Sequence, residues 1–411
     1  MVALATSLAM ITYLDRACIA TLMPNGIAKD LGLSKIEQGY VFLIFQFAYA
    51  LFEIPTARWA DRKGTRSVLT RIVLWWSALT ALTGAAVSYG SMMVIRFLFG
   101  VGEAGAWPCV ARTFSRWIPA KERGRVQGVF FSGAHFVGGA TPSLVLFLLP
   151  FLSWRTIFVC FGAVGLVWAA AWYTWFRNDP SEHSSVSAAE LATIAADRAA
   201  ETGHGDKSYW GEMLRNRNVI ALSIMYIPNC MIFYFCITWL PTYLKEQGFG
   251  AAALAFASGG PLFASMPGDL LGGWVTDVMS HKFGLRIGRC GVGGVSYLIA
   301  AIALILAPLS GSPVLAATLI AVATGVTMFT LGAAWATVID VGRNHVGVVG
   351  ATMNSTGNLV AMLNPVIVAY SVTWFGSWNL PLYVMAALFL IGAFCWTLID
   401  PTKAVFAETA L

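Results

Sequence analysis

Apolar residues run through this chain in stretches of about twenty, the length a helix needs to cross the hydrocarbon core of a bilayer. Read with their polar breaks they give twelve spans. Six fall at about 2–24, 38–57, 71–89, 91–112, 125–150 and 154–176, and six at about 218–244, 251–276, 289–309, 313–339, 346–375 and 379–400. Only 11% of the residues are charged, against about 25% in an average soluble domain. The expectation is an all-α integral membrane protein. The first span begins at Met1 without the basic region and cleavage site of a signal peptide, so it is read as a membrane helix. That abrupt start leaves room for a short cytoplasmic leader ahead of it. Seven cysteines, scattered through apolar segments and never spaced Cys-x-x-Cys, speak against a disulfide framework or a zinc site.

One polar segment, 177–217, separates the two sets of six. It divides the chain into an N-terminal six-helix bundle (1–176), a cytoplasmic linker (177–217), a C-terminal six-helix bundle (218–400) and a tail (401–411). Within the linker, Ser187-Ala-Ala-Glu190 reads as a capping box that opens a short surface helix. Basic residues set the orientation. Twenty Lys and Arg fall in the linker, the tail and the loops after spans 2, 4, 8 and 10; only Lys29, Lys35, Arg155 and Lys245 lie on the other side. The positive-inside rule then makes both termini and the linker cytoplasmic, in a multi-pass protein of the plasma (inner) membrane. The net charge of +6 follows from topology and gives no support for nucleic-acid binding.

The halves repeat. Met23-Pro24 precedes Asp61 much as Leu240-Pro241 precedes Asp277, and Asp61-Arg62-Lys-Gly64-Thr-Arg66 has its counterpart in Asp277 followed by Gly284-Leu-Arg286. Ser132 and Pro142 are echoed by Ser355 and Pro365. Two six-helix bundles related by a parallel repeat, with a site between them at mid-membrane, is a transporter architecture.

Four charges lie inside the oiliest stretches: Asp15 and Arg16 in the first span, Arg96 and Glu103 in the fourth. Each costs about 2.5–3.5 kcal/mol at the centre of a membrane helix, on the order of 10 kcal/mol together, unless it pairs or faces water. Arg96 and Glu103, seven residues apart, share a helix face but sit about 10 Å apart along the axis, too far to pair with each other. If both helices face one cavity, each carboxylate can meet an arginine of its own or the other helix. Arginine stays protonated at any depth, so Arg16 and Arg96 suit a carboxylate substrate. Asp15 and Glu103 suit proton binding and release, because desolvation favours the neutral acid. The competing reading is a static salt-bridge network, which is a poor stabiliser relative to apolar packing.

The motifs carry a resemblance. Asp61-Arg62-x-Gly64-x-Arg66 after the second span resembles the signature loop of the major facilitator superfamily, and Arg96-Phe-Leu-Phe-Gly100-Val-Gly102 its fourth-helix motif. More narrowly, Tyr13-Leu-Asp15-Arg16, then Arg96-x6-Glu103-Ala104 with Trp107-Pro108, then Glu122-Arg123-Gly124, are similar to the anion:cation symporter family, which includes bacterial hexuronate, galactonate and glucarate carriers. The resemblance covers the whole chain. It implies the twelve-helix major facilitator fold, proton sites at Asp15 and Glu103, a substrate site that includes Arg16, and a contribution from Tyr49. The signature loop, and Asp277 with Arg286 in its echo, reads as a cytoplasmic gate; the alternative is that its basic residues anchor the loop to headgroups.

Other polar residues extend the candidate site. Tyr13 and Tyr49 offer hydroxyls to a substrate, or else pack as ordinary aromatics. Asn354 and Asn358, one turn apart, can hydrogen-bond sugar hydroxyls or hold neighbouring helices together. Trp335 can stack on an apolar sugar face. Glu53, Asp269 and His135 are weaker candidates, and Gly332-Ala333-Ala334 lacks the hydroxyls that some relatives supply there. The reading that results is a proton-coupled symporter importing a small organic anion, such as a hexuronate or aldonate, as a monomer and without a cofactor or metal. Sodium coupling, anion exchange and a membrane ligand sensor are the alternatives. Nothing resembles a nucleotide loop, a metal cluster or a nucleophile with its base, so neither an enzyme nor a self-contained ATP-driven pump is expected.

Overall fold

The computed structural model describes residues 1–118, 120–199, 213, 215–342 and 346–405, and every regular element among them is helical. The first half holds α1 (Val2–Leu22), α2 (Lys35–Lys63), α3 (Thr65–Thr83), α4 (Tyr89–Glu103), α5 (Ala106–Trp117), α6 (Ala120–Leu148), α7 (Trp154–Trp175) and α8 (Ala188–Ala199). The second holds α9 (Arg217–Thr238), α10 (Leu240–Glu246), α11 (Ala251–Phe283), α12 (Val292–Leu309), α13 (Pro313–Gly342), α14 (Val346–Ala361), α15 (Asn364–Phe375) and α16 (Asn379–Leu398). Nine helical stretches among the described residues are long and apolar enough to cross a membrane. The remaining expected spans fall on α2, α3 and α11, which have the length but are diluted by polar residues, glycine and proline.

The chain divides into two compact units. Unit 1 is Met1–Gly138 with Leu144–Asp206, and unit 2 is Gly139–Ser143 with Lys207–Leu411.

Local chemistry sets the helix ends. Ser34 and Glu37 form a reciprocal capping box that starts α2, and Ser88 with Ser91 does the same for α4. That second cap corrects one expected span: α3 begins directly after Gly64 and ends at Thr83, so the 71–89 interval was placed too late. Ser187 accepts a hydrogen bond from the Glu190 N–H at 3.2 Å and opens α8, as its sequence suggests.

Breaks follow the prolines. The fourth span parts into α4 and α5 at Ala104-Gly105, where Gly105 takes φ +86° and Pro108 removes the N–H that Ala104 would need. A π-turn at Met23–Ile27 carries Pro24, and α9 gives way to α10 at Leu240-Pro241, its partner in the repeat. The other repeat pair diverges: Pro142 lies within continuous α6, whereas Pro365 sits in the first turn of a new helix, α15.

Small residues bring helices close. A Cβ at Gly100 would strike the Phe45 carbonyl, so α2 and α4 touch backbone to backbone there. In unit 2, Gly268 and Gly272 of α11 abut the carbonyls of Gly325 and Phe329 on α13 in the same way.

Candidate functional site

The four charges predicted in the membrane converge within unit 1, on α1 and α4. Arg16 donates from Nη2 at 2.7 Å and from Nε at 2.8 Å to one oxygen, Glu103 Oε1. Glu103 is the last residue of α4, immediately before the helix break, and its side chain is 1% exposed. Its second oxygen is buried without a hydrogen bond. Discontinuous helices at a buried charged site are a recurring device of transporters.

Only one of the two expected ion pairs forms. Asp15 is buried and meets no arginine within salt-bridge distance among the described residues; Thr80 on α3 donates to its Oδ2 at 3.2 Å instead. Arg96 is 2% exposed and makes no hydrogen bond or ion pair among the described residues. Aromatic faces enclose it: its guanidinium carbon lies 4.8 Å from the Phe45 ring centre and 4.5 Å from that of Phe99. Such contacts attract the cation through the ring quadrupole, at about 2 kcal/mol when desolvated, and offer no acceptor. Arg96 is one turn from Gly100, so the close approach of α2 is what delivers Phe45 to it.

Phe45 also faces the other arginine. The Arg16 guanidinium carbon is 5.3 Å from its centre and 5.2 Å from that of Tyr49, which places Tyr49 at the site. Tyr13 is buried in an aromatic cluster, edge-on to Trp107 at 6.4 Å and to His135 at 5.7 Å. Glu53 is half-buried farther along α2.

In unit 2 the two asparagines pair as their spacing suggests. Asn358 Nδ2 donates to Asn354 O at 2.9 Å and to its Oδ1 at 3.2 Å, and Tyr234 on α9 donates to Asn358 Oδ1 at 3.2 Å. Trp335 is 39% exposed, with its ring over Gly350, one turn ahead of Asn354. Asp269 lies half-buried on α11, two residues after Pro267.

The gate candidates divide between the units. The side chains of Asp61, Arg62, Glu122 and Arg123 lie outside the described residues. Gly64 takes φ +83° at the end of α2, and Arg66 is tied to the end of α7: its N–H donates to Asn178 Oδ1 at 2.9 Å, and its guanidinium donates to Tyr173 O at 2.9 and 2.6 Å. Gly284 repeats the conformation of Gly64 at φ +85°, closing α11. The cation at Asp277 is not Arg286, which is exposed; Arg289 bridges Asp277 at 2.8 Å and Asp340 at 3.1 Å. Arg286 was favoured by its register with Arg66. The π-turn over Arg286–Gly291 carries Arg289 inward instead.

Sequence reasoning missed Phe45, Phe99, Thr80, Tyr234 and Arg289. The first four are ordinary core residue types whose partners lie on other helices.

With this geometry in place, the comparisons with known proteins are consistent with one another. The family model of the Major Facilitator Superfamily matches residues 5–365. The chain is 32% identical over 404 residues to the probable sulfoacetate transporter SauU of Cupriavidus necator, covering 96% of this chain and 92% of that one. It is 28% identical to the probable galactarate/D-glucarate transporter GudP of Bacillus subtilis (93% and 86% covered) and 29% identical to a D-galactonate transporter of Escherichia coli (95% and 92% covered). A solved structure of a bacterial homolog of the human lysosomal transporter Spinster, inward-facing and unoccupied, matches in fold with a TM-score of 0.72 at 20% identity, covering 96% of this chain and 95% of that one. The chain therefore belongs to the Major Facilitator Superfamily and is a multi-pass membrane transporter, not an enzyme.

Proposed function

We propose that this protein is a proton-coupled symporter that imports a small organic anion, with a sugar acid such as a hexuronate or aldonate as the first candidate. The observation that carries this is the pairing in unit 1: a buried carboxylate, Glu103, occupies one arginine while a second buried arginine, Arg96, has no acceptor. A proton on Glu103 removes the charge that holds Arg16. The substrate carboxylate then takes its place, since a forked guanidinium prefers an anionic acceptor to a neutral one. Asp15, held by Thr80, serves as a second proton site. Tyr13 and Tyr49 lie where substrate hydroxyls can reach, and Asn354, Asn358, Tyr234 and Trp335 supply neutral contacts from unit 2.

In this reading twelve helical stretches cross the inner (plasma) membrane as two six-helix bundles, 1–176 and 218–400, joined by the 177–217 linker. The protein acts as a monomer with both termini cytoplasmic. The bundles rock about the site, and the charged loop ends at Asp61–Arg66 and at Asp277, Arg289 and Asp340 hold one gate. Protonating the acids as the anion binds lowers the charge that must cross the low-dielectric interior.

A second substrate reading has its own support. The relative at 32% identity is named for sulfoacetate, and the run Gly332-Ala333-Ala334 beside Trp335 supplies no hydroxyl for a polyol chain.

Uptake into proteoliposomes tests both readings. Labelled galactonate, glucuronate and sulfoacetate are compared with and without an inward proton gradient, for wild type and Glu103→Gln. Gradient-driven accumulation that vanishes in the variant while counterflow persists is the expected result. Accumulation driven by sodium and indifferent to an uncoupler rejects proton coupling.

A further inference from the structure

We infer that unit 2 carries a pocket for the phosphate group of an anionic phospholipid, built where the chain leaves its last helix. A cavity of about 370 Å³ opens there between the start of α9, the π-turn over Arg286–Gly291 and the segment after α16. Its volume falls in the range of about 300–1,000 Å³ usual for small-ligand pockets. Three cations line it, Arg217, Arg286 and Lys403, against one carboxylate, Asp400. All of its walls belong to unit 2, and none of its residues serves the charged site on α1 and α4. Arg286 is the cation that the Arg289 contact to Asp277 leaves over.

Hydrogen bonds fix the walls. Asn218, buried in the first turn of α9, donates from Nδ2 to the carbonyls of Asp400 and Lys403 at 3.1 Å each, and its Oδ1 accepts from the Asp400 N–H at 2.9 Å. Asn216 donates to the Val405 carbonyl at 3.2 Å, and the Val405 N–H donates to Val341 O at 2.8 Å. The chain after α16 is thus folded back against α9 and α13, and the cavity is formed before a ligand arrives. Asp400 is spent within that fold. Its Oδ1 accepts from the Thr402 N–H at 3.1 Å and hydroxyl at 2.6 Å, and its Oδ2 pairs with Lys403 at 3.4 Å. Arg217 and Arg286 are both exposed to the cavity and make no ion pair among the described residues.

Two guanidiniums without a carboxylate, beside the N–H groups that open a 22-residue helix, suit a phosphate, whose oxygens accept several charge-assisted hydrogen bonds. What surrounds the pocket favours a lipid over a soluble phosphate ester. Leu285 and Ile287, on either side of Arg286, are exposed. So are Ile220, one turn along α9 from Arg217, and Phe394, one turn before Leu398 in the wall. Both α9 and α16 are long and apolar enough to cross a membrane, so a headgroup seated between their ends leaves its acyl chains along these apolar side chains. In the topology proposed above this is the cytoplasmic leaflet. A lipid held there ties α9 to α16 and to the turn that carries Arg289.

Native mass spectrometry of the detergent-purified full-length protein tests this. The probes are phosphatidylglycerol, phosphatidylcholine and glycerol phosphate, the last carrying the anionic group without acyl chains. Phosphatidylglycerol is expected to bind about tenfold more tightly than phosphatidylcholine, and Arg217→Gln with Arg286→Gln to remove most of that preference. Arg215→Gln with Lys282→Gln deletes the same charge from exposed positions outside the cavity and should leave the preference in place. Equal binding of the two lipids overturns the proposal. So does an equal loss in the two double variants, which would reduce the preference to net charge. Glycerol phosphate that binds as tightly as phosphatidylglycerol overturns the lipid assignment and makes the pocket a site for a soluble phosphate. Should the arginine variant fail to fold, Lys403→Gln, at a more exposed cation of the same wall, gives the same comparison with a smaller expected loss.

Discussion

Unit 1 buries Asp15, Arg96 and Glu103, whereas the buried polar residues of unit 2 among those described are all neutral. In unit 2 they are mostly serines, threonines and asparagines. Thr324, Thr327, Thr330 and Thr337 each return a hydrogen bond to a carbonyl of their own helix, so they are satisfied wherever neighbouring helices lie. One group of ionised residues in unit 2 meets near helix ends instead, where Arg289 joins Asp277 and Asp340. Yet the backbone repeats: Gly64 and Gly284 end α2 and α11 at φ +83° and +85°. A duplicated scaffold has kept its turns and separated its chemistry, with buried charges in one unit and buried neutral polar groups in the other. A buried charge must be matched by a partner on another helix, whereas a threonine satisfies itself.

The largest break in that comparison is expected from Arg96→Gln. Removing a buried charge from an anion site costs about 2–5 kcal/mol of binding, so uptake or titration should show at least a roughly 30-fold loss of affinity. Thermal stability should hold or rise, since no carboxylate loses its partner. Glu103→Ala makes the contrast, because it strands Arg16: unit 1 should lose about 3 kcal/mol of stability, read in thermal melts of the detergent-purified protein.

Thr80→Val comes next. It keeps the shape of the side chain and removes the donor to Asp15, at about 1–3 kcal/mol for a bond to a buried ionisable group. Proton-driven accumulation should fall while Thr80→Ser restores it; a valine variant with full coupling would make Thr80 a packing residue only.

The repeated glycines give a smaller and sharper test. Gly64→Ala and Gly284→Ala both force an L-residue to positive φ, at about 1 kcal/mol. Only the first also meets a neighbour, the Asn178 amide 2.5 Å from the new Cβ, which is itself bonded to the Arg66 N–H. Gly64→Ala should therefore melt lower than Gly284→Ala; equal melting would mean that Asn178 yields freely. Smallest of all is Asn358→Ala, which frees the Tyr234 hydroxyl at about 0.5–1.5 kcal/mol and should raise KM a few-fold with little change in coupling.

Much of the fold was legible because the bilayer allows few solutions. Length and polarity alone located helical stretches in every expected interval, but the breaks after α4, after α9 and within the eleventh span were not legible, because other prolines such as Pro142 and Pro228 lie inside continuous helices. The 71–89 interval was misplaced because Arg66 and Arg71 made the start of α3 look like loop. At the site, residue type and seven-residue spacing singled out Asp15, Arg16, Arg96 and Glu103. Spacing along one helix says nothing about which residues of other helices arrive opposite, so the pairing was not legible.

The amino-acid order by itself determined the membrane class, the internal repeat and the four charges within apolar spans, since each is written in local composition and the energetic penalty of charge in lipid. Tertiary structure decided the rest. It gave Glu103 to Arg16, Thr80 to Asp15, aromatic walls to Arg96 and Arg289 to Asp277. These are contacts between helices, fixed by where glycines such as Gly100 let backbones meet, and that close packing is a property of pairs of surfaces that neither strand of sequence carries alone.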